Sequence, residues 1–154
     1  MKKFIAALAV LSSTSAFSAE SQLLQNALSC KLKDSDMPTL MRELAAQQPA
    51  FAKPSKQFGA PSADVYQLQQ PATALGYSSR EVVVTPGRIL LAVPGETMAK
   101  AAGKLKLKEE EYSPASREVR PTVSVVAFQL SHMADKLLVG CQYANNDAAS
   151  WVRQ

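Results

Sequence analysis

Groups that most enzymes use in catalysis are scarce in this sequence. Its 154 residues include one histidine, His132, and two cysteines, Cys30 and Cys141. A hydrolytic triad needs an imidazole base, and Ser131, the nearest serine in sequence, would point to the opposite face of a strand from His132. We therefore interpret His132 as an exposed or locally hydrogen-bonded side chain beside a turn.

Nucleotide-binding and metal-binding motifs are also missing. The six glycines are dispersed, and neither GxxxxGK[ST] nor GxGxxG occurs. The segment "DSDMP" begins like a calcium loop, but a proline follows the second acid, so helix capping explains it better. Two cysteines and one histidine at these separations match no common zinc spacing. The sequence predicts no cofactor, no metal site and no enzymatic activity.

The charge balance is weak. Lysine and arginine number 17 against 13 acidic residues, and Lys2 and Lys3 at the extreme N-terminus supply two of the four net positive charges. Binding to phosphate backbones requires concentrated basic side chains, so nucleic acid is not expected as a partner.

The N-terminal segment has the layout of a bacterial secretory signal peptide. Lys2 and Lys3 precede an apolar run, and Ala16 and Ser18 occupy the small-residue positions of a cleavage site. The run is shorter than the ~20 residues that span a bilayer. We expect residues 1–18 to be removed and residues 19–154 to form one small exported domain, in the periplasm or, as the second choice, secreted, without stable membrane insertion.

Export determines how the two cysteines are interpreted. Disulfides form and persist in oxidising compartments, so we predict a bridge between Cys30 and Cys141 that closes almost all of residues 19–154. The alternative is two free thiols.

The hydrophobic periodicity predicts an α+β fold. Helical spacing of apolar residues occurs in "ESQLLQNALSCKLK", "DSDMPTLMRELAAQQ" and "PGETMAKAAGKLKL". Strands are predicted at "VYQLQQ", in a hairpin over "REVVVTPGRILLAV", and in a second hairpin that pairs "TVSVVAFQLS" with "KLLVGCQY". The segment "KEEEYSPASREVRP" is interpreted as a polar connection.

These elements predict an antiparallel sheet with two or three helices packed on one face. Tyr66 and Tyr112, and likewise Arg88 and Lys136, stand about 47 residues apart, which suggests two tandem helix-plus-hairpin units. Chance alignment of apolar runs is the alternative explanation.

Charged and aromatic residues in the connections are the candidate partner-binding groups. The charged run at 104–112 begins with alternating lysines, continues into three glutamates and ends in a tyrosine. Trp151 lies in the C-terminal tail. The candidates are Lys104, Lys106, Lys108, Glu109, Glu110, Glu111, Tyr112 and Trp151. A solvated surface is the simpler interpretation of the charged run.

The leading hypothesis is a non-enzymatic periplasmic protein-binding module, an inhibitor or immunity protein that acts on an envelope enzyme or toxin. The alternatives are an envelope assembly or structural accessory protein, a small hydrolase using Glu109, Glu110 and Glu111, and a carrier of a small apolar ligand. The oligomeric state is left open by the sequence.

Overall fold

The computed structural model describes residues 19–46, 51–52 and 63–152. The predicted signal peptide lies outside this range, as do residues 47–50 and 53–62. Among the described residues, no helix is both long and apolar enough to cross a membrane.

The described part of the chain contains three α-helices, as the periodicity predicted. They are α1 (Ala19–Leu28), α2 (Met37–Ala46) and α3 (Met98–Leu105). A 3-10 turn at Asp34–Asp36 precedes α2. At α3 the side chain of Thr97 accepts a hydrogen bond from the backbone amide of Lys100, which satisfies one of the amides that the first helical turn leaves without a partner.

Within residues 19–46, 51–52 and 63–152, eight strands form one antiparallel sheet, although the first has only two residues. They are β1 (Phe51–Ala52), β2 (Asp64–Ala74), β3 (Tyr77–Thr85), β4 (Arg88–Pro94), β5 (Lys108–Glu110), β6 (Ser113–Arg120), β7 (Val123–Phe128) and β8 (Lys136–Tyr143). Gly87, at φ 77°, follows Pro86 in the tight turn between β3 and β4, and glycine tolerates this left-handed conformation.

The strand order is β1-β2-β3-β4-β8-β7-β6-β5, so the two halves of the chain enter the sheet from opposite edges and meet at its centre. Each half is a helical segment followed by a meander, and the final strands β4 and β8 pair in the middle, with Leu91 opposite Val139. Arg88 and Lys136, paired by the repeat hypothesis, begin these two equivalent strands.

The helices pack on one face of the sheet. Alternation along β8 places Leu137, Val139, Cys141 and Tyr143 on that face, in one cluster with the buried residues of α1, α2 and α3. A smaller apolar cluster lies on the opposite face. It contains Ala63, Val65, Val83, Leu90, Ala92, Val126, Met133 and Leu138. Central strands buried on both faces explain the continuous apolar runs in β3, β4 and β8.

The predicted disulfide is present. Cys30, just beyond the end of α1, is bonded to Cys141 of β8 with a Cα–Cα distance of 5.3 Å and a separation of 111 residues. Both residues are buried. Arg120 reinforces this junction by donating to the carbonyl oxygen of Leu32 at 2.7 Å. The bridge therefore joins the first helix to the centre of the sheet.

The prediction of a polar connection after α3 was wrong. The segment forms a hairpin of β5 and β6, in which Lys108 pairs with Ser116 and Glu110 with Ser113. Every side chain of β5 is exposed. An edge strand that buries no side chain has no apolar alternation, so its sequence has the composition of a loop.

Candidate interaction surface

The turn between β5 and β6 displays an aromatic side chain. Tyr112 is 97% exposed, whereas Tyr66, Tyr77 and Tyr143 are all buried. Its backbone is in the left-handed region at φ 63°, an unfavourable conformation for a large side chain. Strain and exposure of an aromatic ring both cost stability, and such features are concentrated at functional sites.

Charged residues surround this tyrosine. We define the β5–β6 tip as Lys106, Lys108, Glu109, Glu110, Glu111 and Tyr112. All six side chains are exposed. Lys108 and Glu110 form an ion pair of 3.0 Å between Nζ and Oε1, and Lys106 ends α3 at φ 55°. With two lysines and three glutamates, the tip carries one net negative charge.

Lys104 is separate from the tip, although the sequence analysis grouped it there. Its ammonium donates to the carbonyl oxygen of Gly76 at 2.7 Å and lies 3.8 Å from the centre of the Tyr77 ring. Burial, with a smaller contribution from Glu96, raises the pKa of the Tyr77 phenol. Lys104 therefore connects α3 to the turn between β2 and β3.

Trp151 is also apart from the tip. It lies in a 3-10 turn at Ala148–Trp151, is 4% exposed, and contacts the Tyr143 ring edge-to-face with 6.2 Å between the centroids. The C-terminal segment thus folds back onto the sheet. Trp151 contributes to a cleft instead of being displayed.

This cleft, of about 350 Å³, lies between the start of α2 and the C-terminal segment. Met37 and Trp151 are buried and form its floor with the partly buried Met41, while Asp34 and Asp147 are exposed at its rim. This cleft was not predicted from the sequence, because its residues come from segments more than a hundred positions apart. The acids in "DSDMP" were the only signal, and they were assigned to helix capping.

The remaining side chain that the sequence offered for catalysis is His132. His132, whose side chain is not described, belongs to a 3-10 turn at Ser131–Met133. Within residues 19–46, 51–52 and 63–152, no group of three or more His, Cys, Asp or Glu side chains is placed to hold a metal ion.

Scans of this chain against models of protein families, curated proteins and solved structures each found no match.

Proposed function

We propose that this protein is an exported, non-enzymatic binding module that inhibits an envelope-acting enzyme or toxin by presenting the β5–β6 tip to it. The observation that carries the proposal is the 97% exposure of Tyr112 at the end of a hairpin. Tyrosine is enriched among the residues that dominate binding energy at protein interfaces, because its ring buries a large area at little cost in conformational entropy.

The anchoring of the hairpin supports this role. β6 continues past β5 and pairs with β7, with Arg117 opposite Val125. Arg117 also donates to the carbonyl oxygen of Leu105, at the end of α3, at 3.0 Å. A recognition element held on a rigid sheet loses little freedom when it binds, so more of its contact energy appears as affinity.

The charge of the tip defines the partner that we propose. The three exposed glutamates favour a positively charged binding cleft, because complementary charges accelerate encounter and discriminate against acidic surfaces. The disulfide supports export to an oxidising compartment, and we propose the periplasm, where cell-wall hydrolases and toxins act.

The experiment is affinity capture with the oxidised residues 19–154 as bait, on periplasmic and secreted proteins of the producing cell. A parallel bait carries Tyr112→Ala, and a control bait carries Val119→Ala, at the other large apolar residue that is exposed in the described part of the chain. We expect a hydrolase or toxin to be retained by the native and Val119→Ala baits, lost with Tyr112→Ala, and inhibited when the purified protein is added to it.

Recovery of envelope assembly components by the native bait would instead favour the accessory role. A partner retained equally by Tyr112→Ala would exclude the tip as the binding surface. Hydrolytic activity of the purified protein that disappears on joint substitution of Glu109, Glu110 and Glu111 would favour the carboxylate-based hydrolase.

A further inference from the structure

The cleft between α2 and the C-terminal segment combines an apolar floor with an acidic rim. The floor consists of two thioethers and an indole, from Met37, Met41 and Trp151. Its volume of about 350 Å³ falls within the range of small-molecule sites, on the order of 300 to 1,000 Å³. Thioether side chains adapt to varied apolar shapes, so this floor suits a compact hydrocarbon body.

The rim determines the charge of a matching ligand. Asp34 lines the cleft from the 3-10 turn before α2, and Asp147 lines it from the C-terminal segment. Asn145 and Ser150 complete the polar lining, and no lysine or arginine among the described residues lines the cleft. Two carboxylates that line one cleft favour a positively charged group between them.

Two hydrogen bonds fix the turn that carries Asp147. The side-chain oxygen of Asn145 accepts from the amide of Asp147 at 2.8 Å, and the hydroxyl of Ser150 donates to the carbonyl oxygen of Asp147 at 2.7 Å. These bonds use the main chain of Asp147. They fix the turn, while the exposed carboxylate stands at the rim.

We infer that this cleft binds a small organic ammonium ion, with the apolar body on the methionine and tryptophan floor and the ammonium group between Asp34 and Asp147. The indole adds an electron-rich ring, a group that attracts organic cations. The cleft is separate from the β5–β6 tip, because the two lie near opposite ends of β6. The strand starts at Ser113, next to the tip, and ends at Arg120, which contacts Leu32, two residues before Asp34.

Trp151 is the single tryptophan of the chain, so its fluorescence reports on this cleft directly. The test is titration of the oxidised residues 19–154 with phenethylammonium, and with 2-phenylethanol as a neutral ligand of nearly the same shape. We expect a saturable fluorescence change with phenethylammonium, with a dissociation constant on the order of 1 mM for a ligand of this size. The alcohol should bind at least about fivefold more weakly.

Substitution of each aspartate tests whether its carboxylate binds the ammonium group. Asp34→Asn and Asp147→Asn, each close to isosteric, should weaken phenethylammonium binding about fivefold and leave 2-phenylethanol binding unchanged. Glu118→Gln, at an exposed carboxylate on β6, is the matched control and should bind like the native chain. Equal affinity for the two ligands, insensitivity to both aspartate substitutions, or no saturable response would each overturn the inference.

Discussion

The hydroxyl of Tyr143 donates a hydrogen bond of 2.6 Å to the carbonyl oxygen of Ala27, across 116 residues of chain. The disulfide joins the same two elements nearby, from Cys30 to Cys141. Helix α1 is therefore held to β8 by one covalent and one polar contact, both buried. The last carbonyls of a helix lack the amide partners of its interior. The Ala27 carbonyl accepts a 3.4 Å bond from the amide of Cys30, and Tyr143 supplies a shorter one from the sheet.

The first prediction concerns high pH. Burial raises the pKa of Tyr143 to about 12, from 10.0. The unfolded chain releases this proton first, so the free energy of unfolding falls as pH rises from the unfolded to the folded pKa. We expect a loss of about 2 kcal/mol between about pH 9 and about pH 11.5, measured by urea unfolding.

Tyr143→Phe is the control for that measurement. It should lower stability at about pH 9 by about 1 to 2 kcal/mol, because the Ala27 carbonyl loses the shorter of its two hydrogen bonds and keeps the 3.4 Å bond from the amide of Cys30. The further loss at high pH should then shrink to what Tyr77 contributes, since burial raises the pKa of Tyr77 as well. An unchanged alkaline loss in Tyr143→Phe would show that another group is responsible.

The second prediction concerns the bridge. Replacing both cysteines with alanine should lower the free energy of unfolding by about 4 kcal/mol, since the loop closed is long; native strain would reduce this figure. Cys30 also has a φ of 63°, where glycine is favoured. Cys30→Gly with Cys141→Ala should therefore be about 1 kcal/mol more stable than the double alanine variant in denaturant unfolding. A double alanine variant as stable as the native chain would contradict a stabilising bridge.

The third prediction contrasts two glycines. A Cβ at Gly140, in the centre of β8, would collide with the carbonyl oxygen of Ile89 and lie 2.9 Å from the Cα of Leu90. Gly140→Ala should cost about 3 kcal/mol, because the two central strands must move apart. Gly103 lies in α3, where an added Cβ would meet nothing within 4 Å, so Gly103→Ala should stabilise by about 0.5 to 1 kcal/mol. Thermal unfolding that moves both variants in one direction would contradict this packing.

The fourth prediction separates structure from binding at Lys104. Lys104→Met keeps the aliphatic stem but loses the contacts with Gly76 and the Tyr77 ring. We expect a loss of about 0.5 to 1 kcal/mol in urea unfolding, with no change in partner capture. Lys100→Met, at an exposed lysine of the same helix, should change neither property. Weaker partner capture by Lys104→Met alone would return Lys104 to the interaction surface.

Most of the core was predictable because its periodicity is local. Alternation in β8 placed Cys141 on the helix-facing side, and Pro86 followed by Gly87 specified the turn into β4. The β5–β6 hairpin was not predictable, since its strands carry the polar composition of a loop and depend on pairing with β7. The positions of Lys104 and Trp151 were equally hidden, because each is set by a partner distant in sequence.

The fifth prediction uses the strained backbone at Tyr112 to distinguish recognition from folding. Tyr112→Gly removes the ring and also suits the φ of 63°, whereas Tyr112→Ala removes the ring and keeps the unfavourable conformation. We expect Tyr112→Gly to be about 1 kcal/mol more stable than Tyr112→Ala in urea unfolding, with partner binding lost in both.

Tyr112→Gly is expected to be folded and more stable than Tyr112→Ala. Loss of binding in Tyr112→Gly would therefore exclude unfolding as the cause. It would assign the contact to the tyrosine ring itself. Retention of binding in both variants, at native stability, would place recognition elsewhere on the molecule. The Tyr112 ring is 97% exposed and contributes nothing to the core. If the ring had no part in recognition, its removal would leave partner binding unchanged.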